Sequence, residues 1–253
     1  MAVNFTLATI LFLLMCIIGR ERGLKSFLSL LCNFLIFFFM VITISKGANI
    51  FLVTLTACIL ASLLNLFMIN GKNLKTIAAF YSILLVVSIL IVFTVPIVYF
   101  SHIQGFTTEL SDTFMVFETQ IQVSYESLAI LVVIMSVIGA LIDAAISITS
   151  SMYEVVVVNP AISNKELYKA GVRMGQDILS TNINTLYFAF LGGNVAFCIW
   201  LNVYQYSFGQ MINYKIFVEE MLTLIVSGIG CILVIPIAAG IFTRMIKKKG
   251  LVH

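Results

Sequence analysis

The chain has 253 residues, 61% of them hydrophobic and only 10% charged, and its mean hydropathy is +1.13. A soluble domain carries about 25% charged residues, so this composition excludes a soluble enzyme or binding module and points to a polytopic membrane protein. The net charge of +3 comes from basic residues spread over short loops, a pattern that membrane topology explains and that gives no sign of nucleic acid.

A helix needs about 20 apolar residues to cross a bilayer. In chain order the apolar runs predict spans near 3–18, 27–45, 49–69, 76–100, 127–151, 184–204 and 217–243. The expectation is an all-α membrane protein with about seven transmembrane helices in a single polytopic domain. The first run lacks a basic n-region and a small-x-small cleavage site, so it reads as an uncleaved first span. Spans one to four carry almost no polar chemistry.

Alternating the loops tests this count. Arg20, Arg22, Lys25, Lys72, Lys75, Lys165, Lys169, Arg173, Arg244, Lys247, Lys248 and Lys249 then share one side, and only Lys46 and Lys215 fall opposite. The positive-inside rule puts the larger group in the cytoplasm, with the N-terminus outside and the C-terminus cytoplasmic. The loop at 101–126 carries Glu109, Asp112, Glu118 and Glu126 beside His102, at spacings that match no metal-ligand motif, and reads as a solvated outer loop.

The fifth span holds the most telling residue. Asp143 lies in the apolar run 128–148, which contains no Lys or Arg. A carboxylate at mid-bilayer costs roughly 2.5–3.5 kcal/mol, so it faces a polar interior and marks a candidate functional site. At 3.6 residues per turn, Ser136, Gly139, Ser147, Ser150 and Glu154 all fall within about 40° of Asp143. Small and hydroxyl residues also serve as helix-packing surfaces, which accounts for Gly139 and the serines but not for the carboxylate.

After the fifth span, Ser163 followed by Glu166 has the spacing of a capping box and predicts a helix from 164 onward. Residues 160–180 read as an amphipathic, basic connector along the cytoplasmic interface. Asp177, Thr181 and Asn184 share one face at the entry of the sixth span, and Thr185 extends the patch. Arg173, one turn before Asp177, is a candidate ion-pair partner for it; a polar site shared with the fifth span is the alternative.

The seventh span opens with Glu219 and Glu220. Glu220, Ser227 and Cys231 lie on one side of it. Gly192 in the sixth span, with Gly228 and Gly230 in the seventh, permits close helix approach, as Gly139 does in the fifth. Pro236 disturbs the backbone ladder. The five cysteines, Cys16, Cys32, Cys58, Cys198 and Cys231, all sit in apolar runs and read as free thiols packed as small hydrophobes. There is no GxSxG, no HExxH and no aspartyl-protease pattern, so an enzyme is not expected, nor a cofactor or metal.

Three stretches carry a resemblance. They are Gly139-x-x-x-Asp143-x-x-x-Ser147-Ile148 with Tyr153-Glu154; Gly175-x-Asp177-Ile178-x-x-Thr181-x-x-Asn184-Thr185-Leu186 through Ala189-x-Leu191-Gly192; and Glu219-Glu220 leading to Ser227-Gly228-Ile229-Gly230 and Pro236. Together they resemble the YibE/F family of bacterial integral membrane proteins over about 128–240. The resemblance implies a multi-pass protein of the bacterial plasma membrane, in a short form without the extracytoplasmic domain of many members. It also implies a paralogous subunit as partner beside the lipid bilayer. It supplies no biochemical mechanism.

Two functions follow as expectations. The first is a transporter, or the membrane subunit of one, in which Asp143, Ser147, Ser150, Glu154, Asp177, Thr181, Asn184, Thr185 and Glu220 form a proton or cation relay or a substrate path. The second is a non-transporting scaffold whose polar stripe specifies assembly.

Overall fold

The computed structural model describes residues 2–101 and 125–248. Every regular element among them is helical. They are α1 (Ala2–Ser45), α2 (Ile50–Leu63, continued by a π-helical turn over Leu64–Met68), α3 (Leu74–Ser101), α4 (Tyr125–Val158), α5 (Asn164–Val203), the short α6 (Phe208–Ile212) and α7 (Lys215–Lys248). Among the described residues six helices are long and apolar enough to cross a membrane, as a membrane protein in contact with lipid requires. The acidic loop expected at 101–126 lies almost wholly outside the described residues, as do its carboxylate side chains.

The two spans expected at 3–18 and 27–45 form one helical element, but it is not straight. Val3–Ser45 is 43 residues long, about 65 Å if it were straight against a hydrocarbon core of about 30 Å. Arg20 breaks it, with φ 47° and ψ −128°. Fifteen residues of straight helix would hold Phe12 and Phe27 about 22 Å apart, yet their ring centroids are 4.7 Å apart. The chain therefore doubles back at Arg20. A Cβ on Gly23 would collide with the Met15 carbonyl, so only glycine fits the inside of this bend.

The core is built around α4, which packs against α2, α3, α5 and α7. Val133, Ile134, Leu141, Ala145, Ile148 and Met152 of α4 are almost fully buried. They meet Ile83, Val86 and Leu90 of α3 and Val234, Phe242 and Ile246 of α7. Lipid tails are as apolar as these side chains, so close packing rather than escape from water holds the helices together. α7 crosses its neighbours at Gly230, where a Cβ would stand 3.0 Å from Leu141 Cδ2 and from Leu90 Cδ1. The α4–α5 hairpin closes where a Cβ on Gly171 would stand 2.5 Å from Met152 Sδ.

α1 lies outside this core and packs mainly on α2. Polar chemistry, which the sequence appeared to deny this half, joins the two. Ser29 Oγ and Asn33 Nδ2 donate to Asn65 Oδ1 at 3.0 and 3.1 Å, and Asn65 Nδ2 donates back to Asn33 Oδ1 at 3.0 Å. Asn65 lies in the π-helical turn.

The capping box at Ser163 forms: Glu166 N donates to Ser163 Oγ at 3.3 Å, and Ser163 N donates to Glu166 Oε2 at 3.2 Å. The helix it starts departs from expectation. The connector and the sixth span form one unbroken helix, α5, of 40 residues. No proline or glycine interrupts the sequence between 180 and 184, so helical hydrogen bonding continues through the polar-to-apolar transition.

Candidate functional site

Five polar side chains, from Ser136, Asn194, Glu220, Thr223 and Ser227, converge between α4, α5 and α7. A cavity of about 290 Å³ is lined by Ser136 of α4, Leu186 and Asn194 of α5, and Glu220, Thr223 and Ser227 of α7, among others. Glu220, Thr223 and Ser227 recur at helical spacing on one face of α7, and Thr223 Oγ1 donates to the Glu219 carbonyl at 3.0 Å. Asn194 Nδ2 donates to the Phe190 carbonyl at 3.0 Å, which leaves the amide oxygen free of that bond. The walls are thus acceptor-rich, with one carboxylate.

Ser136 ties this cavity to the Asp143 stripe. The buried residues of α4 occupy the face opposite Asp143, and Ser136, Gly139 and Asp143 are exposed in the single chain. Ser147 and Ser150 are half-buried and Glu154 is exposed. Asp143 lies within electrostatic range of Cys231 on α7. Among the described residues its carboxylate has neither a hydrogen-bond partner nor an ion-pair partner. A carboxylate in that position does not face acyl chains, so the stripe borders a water-filled groove or a second protein surface.

On α5 the expected face and the inward face differ. Asp177, Thr181, Asn184 and Thr185 are all exposed, and Thr185 Oγ1 bonds back to the Thr181 carbonyl at 2.9 Å. Arg173 and Asp177 are not within ion-pairing distance. The inward face runs instead through Gly171, Gly175, Asn182 and Leu186. A Cβ on Gly175 would collide with Ile235 of α7. Asn182 is half-buried, and its Nδ2 is buried with no hydrogen-bond partner. Counting along the antiparallel hairpin from the Met152–Gly171 contact puts Asn182 within about one turn of the level of Asp143.

Sequence reasoning passed over Asn182, Asn194 and Thr223. The spacing of Asn182 from Gly171 and Gly175 was the available signal, as was the spacing of Thr223 from Glu220. The glycines divide into two groups. Gly230 is a close-approach point, whereas a Cβ on Gly139, Gly192 or Gly228 would meet nothing within 4 Å. Pro236 stands inside α7 and is exposed. Among the described residues no three His, Cys, Asp or Glu side chains gather as metal ligands would.

Comparison with known proteins gives one match. The protein-family model described as YibE/F-like protein matches residues 7–248, which takes in most of α1, all of α2 and α3, and the motif-bearing half. No curated protein matches, and no solved structure does.

Proposed function

The chain belongs to the YibE/F-like family, and we propose that it works as a transporter, or as the membrane subunit of one, that moves protons or cations past Asp143 rather than as an enzyme. The observation carrying this reading is the polar cavity between α4, α5 and α7, which Ser136 joins to the stripe leading down to an unpartnered Asp143. Glu220 at one end and Asp143 at the other supply two carboxyl groups in a path whose remaining polar groups are hydroxyls and an amide. A carboxyl in such a path takes up and releases a proton as water reaches it. Asn182, half-buried on the facing helix with its Nδ2 buried and unpaired, is a ready hydrogen-bond donor when α5 shifts.

In the same reading the chain crosses a bacterial plasma membrane seven times, with α1 counted as two crossings. The fold-back at Arg20 supports this, as does the gathering of Arg20, Arg22 and Lys25 at the bend. The N-terminus is then outside and the C-terminus cytoplasmic.

The test is proton flux into vesicles that carry a pH-sensitive dye inside and hold the purified chain, driven by a potassium diffusion potential. Asp143→Asn is expected to lower flux at least roughly tenfold while inserting normally, and Glu220→Gln to lower it less. Wild-type flux in Asp143→Asn would overturn the proposal. A second reading, an assembly subunit that pairs with a paralogous or identical chain, draws on the open space around Gly139, Gly192 and Gly228. It predicts that Asp143→Asn leaves function intact while Gly139→Leu breaks the assembly.

A further inference from the structure

A second groove, of about 540 Å³, runs between α5 and α7 on a different face from the polar cavity. Its lining changes character along its length. Tyr168, Lys169 and Arg173 form one end, and Leu179, Ile232 and Pro236 form the other. The Gly175–Ile235 contact sets the register of the antiparallel pair. In that register the cationic end of the groove lies toward the start of α5 and the apolar end lies deeper in the helix pair. The volume falls within the roughly 300–1,000 Å³ of small-molecule sites.

The two cations are available. Both are exposed, and neither forms an ion pair with a described residue. The nearby carboxylate of Glu166 is held chiefly by the backbone N and the Oγ of Ser163, at 3.2 and 2.7 Å, and only secondarily by the charge of Lys169, with which it forms no ion pair. Tyr168 leans onto α7, its Cε2 3.9 Å from where a Cβ on Gly240 would stand, and so closes the cationic end. Two unpaired cations beside a half-apolar slot at the edge of the apolar region match an amphiphile with an anionic head. Basic pockets between transmembrane helices hold such headgroups.

We infer that the α5–α7 groove is a binding site for an anionic phospholipid. Its phosphate lies against Lys169 and Arg173, and one acyl chain runs along Leu179, Ile232 and Pro236. The site is separate from the Asp143 path, and its occupancy does not depend on transport.

The experiment measures thermal unfolding of the purified full-length chain in detergent with added phosphatidylglycerol or phosphatidylcholine at equal mole fraction. Phosphatidylglycerol is expected to raise the unfolding temperature by about 3 °C or more and phosphatidylcholine not to. Lys169→Gln/Arg173→Gln should lose that rise, whereas Lys25→Gln/Lys72→Gln, which removes the same charge elsewhere, should keep it. Ile232→Trp, which fills the apolar end and retains both cations, should also lose it, so the site remains testable if the double glutamine variant folds poorly. A rise that survives in Ile232→Trp, or that disappears equally in Lys25→Gln/Lys72→Gln, would overturn the assignment. So would an equal rise from inorganic phosphate alone, which would mean a soluble-anion site.

Discussion

Asn65 gathers the side-chain hydrogen bonds that tie α1 to the turn after α2. It receives hydrogen bonds from Ser29 and Asn33, returns one to Asn33, and donates to the Ala61 carbonyl at 2.8 Å. Interhelical hydrogen bonds in membranes are worth about 0.6 kcal/mol on average, and up to about 1.7. Asn65→Leu is therefore expected to cost about 1–2 kcal/mol in detergent unfolding measurements and to leave Asn33 without its amide partner. Asn33→Leu should cost less, because Ser29 and Ala61 still engage Asn65. At this scale the sequence is a partial guide. Asp143 is legible because a carboxylate in a run of Leu, Ile and Val is costly whatever it touches. Asn182 is not, because an amide matters only if its face turns inward. α5 carries two candidate polar faces, and only its packing against Met152 and Ile235 chooses between them.

Among the helices, the points of tight contact and the open faces predict opposite results. Gly175→Val and Gly230→Leu push side chains into Ile235 and into Leu141 and Leu90, and overpacking of this kind costs about 1–3 kcal/mol. Both should lower the unfolding temperature of the isolated chain. Gly139→Leu meets nothing in the single chain and should leave that temperature unchanged, altering only assembly with a partner, as read by size-exclusion chromatography. Most element boundaries are legible from hydropathy and capping: the expected spans at 49–69 and 76–100 correspond to Ile50–Met68 and Leu74–Ser101. The continuity of α5 is not, because hydropathy falls where the helix leaves the apolar region while backbone hydrogen bonding does not.

For the whole molecule, the decisive issue is how α1 sits in the bilayer. Seven crossings place residue 3 and Lys46 outside and Arg22 inside. Single cysteines at these three positions, in a background without Cys16, Cys32, Cys58, Cys198 and Cys231, should separate cleanly under a membrane-impermeant maleimide. Positions 3 and 46 are expected to label in intact cells and position 22 only after permeabilisation. Labelling of position 22 in intact cells would remove the double crossing. The charge pattern makes the bend readable, since the cluster Arg20, Arg22 and Lys25 falls at the break itself. That α1 stands apart from the core formed by α3, α4, α5 and α7 is not readable, because its side chains are as apolar as those that pack inside.

The unbroken length of α5 has a mechanical consequence. From Gly175, wedged against Ile235, about 42 Å of helix extends to Val203 and about 16 Å to Asn164. A stiff rod resting on such a fulcrum moves its two ends in opposite senses. A tilt of about 5° carries Val203 through nearly 4 Å and Asn164 through a little over 1 Å. Leu186 and Asn194, which wall the polar cavity, ride on the long arm, and Lys169 and Arg173 ride on the short one. A displacement imposed at Asn164 would thus reappear, reversed, at about the same size at Leu186 and about 1.7 times larger at Asn194.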